Sequence, residues 1–542
     1  MPPRSPYSRP IANRAFTNRE QHLARFYAAR TNTSKDHHRI LVFHGIGGQG
    51  KTALCRKFRE ILAAEQPRRT VWGHLDLDIV DFREPAHGLL QLRKSLRESG
   101  KIKFTAFDIA IAHYWEKAYP TEDPAKALKD LLGDSEGVLG SVADNAPTWL
   151  DMAQELPAGL GLGVKGLLYV RKKFREHRAK RTVEALAGLE TLDTIELLRK
   201  LPYFLGIDLC AHREETDAPL PVLFIDTYEA LWSDKPDKSG FAAVETDAWM
   251  RTLVASTPGA LFVVFGRERL LWDERFPQDG WAEVLGDQHR LDGLADRDAE
   301  AFLCGIPVNE PELRRAMIEA AKGEADGDDA AQREARGAHP FYLDLAVDIY
   351  LDRQAAGHAP TPEDFGFTHA DLLGRFLRYR SHEERETLKL LSVPRSFDEA
   401  LFGDLVREFG THYPLTAFGE FTGFSFIEAG EDGRFRLHGL MRDQLYAALD
   451  EKLRARLESF LFGWYDARCQ PETPRDVTAQ HEVALREAVY HRDVEEPGAA
   501  LVWFWNRQRV FTDAARYATI EPLKRWAVDL AENRLGSEHP AT

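Results

Sequence analysis

Eight residues, Gly45-Ile46-Gly47-Gly48-Gln49-Gly50-Lys51-Thr52, constrain this chain more than any others. They match the phosphate-loop pattern G-x-x-x-x-G-K-[ST], and their flanks fit it. Ile40 to Phe43 is an apolar run that reads as a buried strand. Thr52 to Ala64 reads as a helix, with Leu54, Phe58, Ile61 and Leu62 at helical spacing. Gly45, Gly47, Gly48 and Gly50 let the backbone turn its N–H groups toward phosphate oxygens at a helix N-terminus. Lys51 supplies a point charge for the β/γ-phosphates, and the Thr52 hydroxyl is a Mg²⁺ ligand. Ala53, next on the helix, counts with the binding residues.

Such a loop needs an acidic strand end nearby to complete the Mg²⁺ shell. Pro221 to Asp226 is an apolar run ending in a carboxylate, as a central parallel strand should be. Asp226 is the candidate metal and catalytic acid. Thr227 stands where the water-activating glutamate most often follows. The next acid, Glu229, either reaches the attacking water or only stabilises the following helix start. Either way, slow hydrolysis is expected. A third strand, Ala260–Phe265, runs into Gly266-Arg267-Glu268. Arg267 there either senses the γ-phosphate from the crevice or makes a surface ion pair with Glu268 or Asp273. Two more strands are expected at Thr70–Leu77 and Gln288–Leu291.

Composition narrows the class. The 542 residues are 44% hydrophobic and 29% charged, which excludes a disordered or fibrous chain. The net charge of −15 argues against general nucleic-acid binding. Four scattered cysteines give no CxxC pair and no disulfide framework. No secretory leader or membrane span is expected, so a cytoplasmic setting is the default. The basic stretch at 165–181 and the acidic Glu324–Asp329 read as solvated segments, the glycines at 161–166 as a flexible connection, and Trp503-Phe504-Trp505 as helical core.

The order of these features resembles the STAND class of signalling NTPases, the clade that includes NACHT and NB-ARC proteins. Phe16, Arg19 and Glu20 are similar to the F-x-x-R-E segment that leads these modules and lies against the adenine. The Asp-Thr-Tyr-Glu of 226–229 and the Arg267 segment follow in order. Leu291–Leu303 looks like the first helix of the class's helical lid, with Asp296 as its N-cap. Gly337-Ala338-His339-Pro340 resembles its G-x-P motif, Pro340 opening a helix beside the nucleotide. A winged-helix pattern comes next, with helices at Glu383–Leu391, Phe397–Phe409 and Leu415–Thr422 and a hairpin, Phe424–Glu428 and Arg434–His438. His438 matches the histidine of the M-H-D segment that touches the β-phosphate of ADP; Gly439 replaces its aspartate. Residues from 513 resemble a kinesin-light-chain type tetratricopeptide repeat, in which Tyr517 and Ala518 close one helix and Pro522 opens the next.

The resemblance implies a multidomain architecture. It has an N-terminal extension at 1–13 and an α/β P-loop NTPase domain at 14–290, a parallel sheet flanked by helices with a helical insertion at about 134–200. A helical lid at 291–380, a winged helix at 381–452 and an all-α repeat-like segment at 453–542 follow, the last expected to continue into a repeat array. It also implies an ATP/ADP switch with Mg²⁺ and weak ATPase activity, serving bacterial defence or regulatory signalling. ADP holds a closed state. ATP opens it, with homo-oligomerisation, and a protein ligand is sensed by the repeats. The rivals are a winged-helix DNA-binding transcription regulator and a rapid ATPase motor. Leu415–Thr422 carries no Arg or Lys for DNA, and Thr227 argues against fast turnover.

Overall fold

The computed structural model describes residues 19–31, 39–65, 69–118, 189–215, 217–232, 246–306, 308–323, 337–514 and 517–531. Phe16, the expected insertion with its basic stretch and glycines, the acidic 324–329 and the last eleven residues lie outside them. No helix among the described residues is long and apolar enough to cross a membrane.

Among the described residues, five strands form one parallel sheet: β1 (Arg39–His44), β2 (Thr70–Asp76), β3 (Leu220–Asp226), β4 (Leu261–Gly266) and β5 (His289–Arg290). Their spatial order is β2-β3-β4-β1-β5. Parallel neighbours need crossovers, and helices supply them on both faces. Strands buried on both faces are mostly apolar, which is why the longer runs were visible in the sequence. On one face, Phe26, Phe43, Phe58, Phe224 and Phe265 pack together, with Phe26 stacked on Phe58 at 4.1 Å between ring centroids. The helix Lys51–Ala64 lies there.

The opposite face carries the helices Pro85–Ser99, Thr105–Ala118 and Thr194–Glu214. Buried Asp208 caps the second of these from a distance, accepting from the backbone N–H groups of Ala106 (3.0 Å) and Phe107 (2.8 Å). Arg93 makes a two-pronged pair with Asp108 at 3.0 and 2.8 Å.

Beyond the sheet the chain is mainly helical, and residues from Leu294 to Leu530 share one continuous apolar core. The helix opened by Pro340 runs to Ala355, as expected. The helix expected within Leu291–Leu303 runs from Asp296 to Cys304, one residue earlier than an Asp296 cap would place its start, and Leu291 donates its N–H to the His44 carbonyl at the sheet edge (2.7 Å). Asp296 is not the N-cap; Ala295 is. The Asp296 carboxylate pairs with Lys322 at 2.8 Å instead.

The segment expected as a winged helix has helices at His382–Leu391 and Glu399–Phe409. Phe397 does not start the second one. It bridges to Phe435 in the hairpin, and Asp398 caps the helix. Leu415–Thr422 is not one helix but a 3₁₀ turn, Leu415–Ala417, followed by a single α-turn, Phe418–Phe421. The hairpin strands are β6 (Ile427–Ala429) and β7 (Phe435–Leu437), paired antiparallel.

Near the chain end the expected break at Tyr517–Pro522 is absent. One helix, Tyr517–Asp529, runs through Pro522. Proline removes a single N–H from the helix ladder, and packing of Ile520, Ala527 and Leu530 into the core outweighs that loss. In the preceding helix Phe504 is buried as expected, but Trp505 is 44% exposed.

Candidate functional site

The sheet's C-terminal edge gathers the site. β4 lies between the strand that feeds the P-loop and the strand that ends in Asp226. The residue after β4, Arg267, therefore stands midway between the two. The loop turns through left-handed glycines, Gly48 (φ 75°) and Gly50 (φ 83°), conformations that a side chain resists. Gly50 caps the helix Lys51–Ala64, so its first N–H groups face the loop. Gly45 is pinned by its N–H to the Gly266 carbonyl at 3.2 Å. Thr52 and Ala53 lie in the helix's first turn.

Lys51 is buried and donates to the carbonyls of Gly45 (2.6 Å) and Ile46 (3.0 Å). Burial lowers its pKa, Arg267 adds to that, and Glu229 and Asp226 oppose it. Asp226 is almost wholly buried. Its Oδ1 accepts from the Thr227 N–H at 2.9 Å, while its Oδ2 has no hydrogen-bond partner. Burial raises its pKa, with His74, the Thr52 hydroxyl, the Thr227 N–H and Lys51 opposing. The Glu229 carboxylate holds both the Arg267 N–H (3.0 Å) and its guanidinium (3.1 Å). Arg267 thus makes an ion pair, with Glu229 rather than with Glu268 or Asp273, while still lying against the loop near Gly47.

Arg19 is buried with φ 85° and donates to the Gln49 carbonyl at 2.9 Å, which ties the N-terminal helix to the loop. Pro340 opens its helix here. His438 stacks on Phe341 with ring centroids 4.5 Å apart, and its Nδ1 is buried and unpartnered. Its pKa is pushed down to about 4, by burial first and then by Lys51 and Arg267. His438 therefore shares a cation-rich space with the loop.

Sequence reasoning missed three participants. His339 donates from Nε2 to the Gly47 carbonyl at 3.0 Å, and its Cε1 lies where a Gly48 Cβ would be, 2.5 Å away. Its position beside Pro340 was the available signal. Asp76 pairs in register with Asp226 on the neighbouring strand and accepts from the Thr227 hydroxyl at 3.3 Å. Burial and the Asp226 charge raise its pKa well above the usual range. An acid closing the β2 run was its only trace in the sequence. Glu431, at the β6–β7 turn, takes hydrogen bonds from His74 Nδ1 and Gln91 Nε2, both at 2.6 Å, and pairs with Arg59 at 3.6 Å. The hairpin tip is thereby docked on the sheet domain.

The residues suit an anionic, metal-bearing ligand. Helix N–H groups, Lys51 and Arg267 lie around the loop, and Asp226 carries an orphaned oxygen beside Asp76, a half-buried carboxylate. A cation there relieves their mutual repulsion. Thr52 and Asp226 offer the oxygen ligands Mg²⁺ prefers.

No family model matches the chain, and no curated protein matches it. Among solved structures it is similar to a STAND protein with a tetratricopeptide repeat sensor from Pyrococcus horikoshii. That match is 12% identical, covers 98% of this chain and 61% of that one, and has a TM-score of 0.38. The chain therefore spans under two thirds of that protein. It is also similar to the Aeropyrum pernix ORC2 protein (10% identity, 83% of this chain and 96% of that one, TM-score 0.34). Cdc6p from Pyrobaculum aerophilum is a third (14%, 81% and 96%, TM-score 0.31). These likenesses are distant, and nothing about this chain's chemistry follows from them.

Proposed function

We propose that the chain is an ATP/ADP-operated switch of the STAND type. The observation that carries this reading is convergence. The P-loop is touched by Arg267 from the sheet and by His339 from the following helical segment, and the charge of its Lys51 reaches His438, just past the hairpin. One ligand in contact with three chain segments couples its own identity to their arrangement. In this reading the loop N–H groups and Lys51 hold the β-phosphate, Arg267 meets the γ-phosphate, and Thr52 and Asp226 hold Mg²⁺. Arg19, with Phe16, flanks the base, and Pro340 fixes the backbone beside it. Mg²⁺ supplies charge neutralisation for phosphoryl transfer when bound.

The docked hairpin corresponds to the closed, ADP-holding state, and ATP favours release of the hairpin and self-association. Hydrolysis is slow: Thr227 has no proton-accepting carboxylate, and Glu229 is held by Arg267. A protein ligand acting through the C-terminal helices, a cytoplasmic setting, and a role in bacterial defence or regulation complete the proposal. Lys51→Ala tests it by calorimetry, and should abolish measurable binding of both ATP and ADP. Unchanged affinity for either nucleotide would sink the assignment.

A further inference from the structure

The unpartnered atoms behind Asp226 point beyond the nucleotide. Cys55 Sγ, a ring nitrogen of His74 and a carboxylate oxygen of Asp226 all lie within 4.8 Å of one another, and all three residues are buried. They come from three elements. Cys55 is on the helix Lys51–Ala64, which covers this face of the sheet, and His74 and Asp226 come from the neighbouring strands β2 and β3. His74 pairs with Phe224 and Asp76 with Asp226, so the strand alternation puts His74 and Asp226 on the same face. Neither His74 Nε2 nor Asp226 Oδ2 has a hydrogen-bond partner, although both are buried. Two such atoms facing one thiol are costly to leave bare.

His74 is also prepared for ligation. Its Nδ1 donates to Glu431 Oε1 at 2.6 Å. That bond fixes the tautomer in which Nε2 carries a lone pair, as in carboxylate–histidine–metal arrangements.

We propose that Cys55, His74 and Asp226 form a site for a zinc ion, bound by one sulfur, one nitrogen and one oxygen with a fourth position open to water. The donor set is the mixed soft-and-borderline kind that selects Zn²⁺ over Mg²⁺. Binding releases the Cys55 proton to solvent, and thiolate and carboxylate together neutralise the ion. The Glu431 contact makes the hairpin tip part of the outer shell, so the ion ties the hairpin to the sheet. If the nucleotide reading holds, zinc also competes with Mg²⁺ for Asp226. The site itself does not rest on that reading.

The test uses the full chain stripped of metal and nucleotide, titrated with Co²⁺ as the spectroscopic probe and then with Zn²⁺. One equivalent of Co²⁺ should give four-coordinate visible bands and a thiolate-to-cobalt band in the near ultraviolet, and Zn²⁺ should abolish both. Cys55→Ser should remove the thiolate band, and Cys304→Ser, at an exposed cysteine, should keep it. Glu431→Gln should weaken Co²⁺ binding by about 10–100-fold. That variant lies on the half-exposed tip and decides the matter if a core variant loses its cooperative melt. Absence of the thiolate band in the native protein, its survival in Cys55→Ser, or full affinity in Glu431→Gln would each overturn the proposal. All arms lack nucleotide, so failure of Lys51→Ala to affect ATP leaves them intact.

Discussion

His339 shows how one side chain carries a measurable signature of the site. Its imidazole is held down to about 3, by burial first, then by His369, with the Gly47 carbonyl opposing and His438 and Lys51 adding to the depression. An unfolded histidine titrates near ~6.5. Between these values the unfolded chain binds a proton that the folded chain refuses. Stability is therefore full above about pH 6.5 and falls as pH drops toward 3, by up to about 1.4 kcal/mol per pH unit for this group. His339→Gln keeps a donor for Gly47 but cannot titrate. Denaturant unfolding at several values between about pH 4 and 6.5 should give a flatter stability curve for the variant. Identical slopes would mean that His339 is protonated in the folded state. At this scale the sequence was readable only where chemistry is local. Lys51 and Asp226 announce themselves by their neighbours, whereas His339 and Asp76 matter because strand register and segment packing carry them to the loop.

In the proposed switch, the β6–β7 hairpin is the element whose position decides whether the site is covered. Its tip is held by Glu431 through His74, Gln91 and Arg59, and Arg436, on β7, pairs with Asp432 at 2.5 Å and faces Asp78. Glu431→Ala removes the shared acceptor. Hydrogen bonds to charged groups contribute about 1.5–3 kcal/mol, and the partial exposure of Glu431 places the loss at the lower end. Amide exchange across 427–437 should speed up by roughly an order of magnitude, with β1, β3 and β4 keeping their protection. Uniform loss of protection would show that the tip contact is part of the global fold. The elements themselves were largely legible: apolar runs marked the strands, and the 431–433 turn marked the hairpin. What misled was punctuation. Asp296 reads as a cap but finds Lys322, and Pro522 reads as a break but lies within a helix whose packed face holds it together.

For the whole molecule, the proposed switch is a balance between covered and uncovered arrangements. His438 stacks on Phe341 and faces Lys51 and Arg267, so it contributes to the covered one. His438→Ala should accelerate ADP release, by no more than the differential contact energy allows. Allosteric couplings of about 1–3 kcal/mol correspond to roughly 5–150-fold. Stopped-flow release of a fluorescent ADP analogue measures this directly, and an unaltered rate would assign His438 to packing alone.

The docking of Glu431 on His74 also fixes an order of events during synthesis. The two residues are 357 positions apart, a separation that a ribosome working at about 5–20 residues per second crosses in roughly 20–70 s. The last sheet strand ends at Arg290, before either His339 or the hairpin has been made. From the end of that strand to the hairpin tip at Glu431, about 140 residues or roughly 7–28 s at the same rate, the nascent sheet stands without the segments that later dock on it. Under the proposed function, the first nucleotide is thus met by a half-made protein, and the later segments close over whatever is already there.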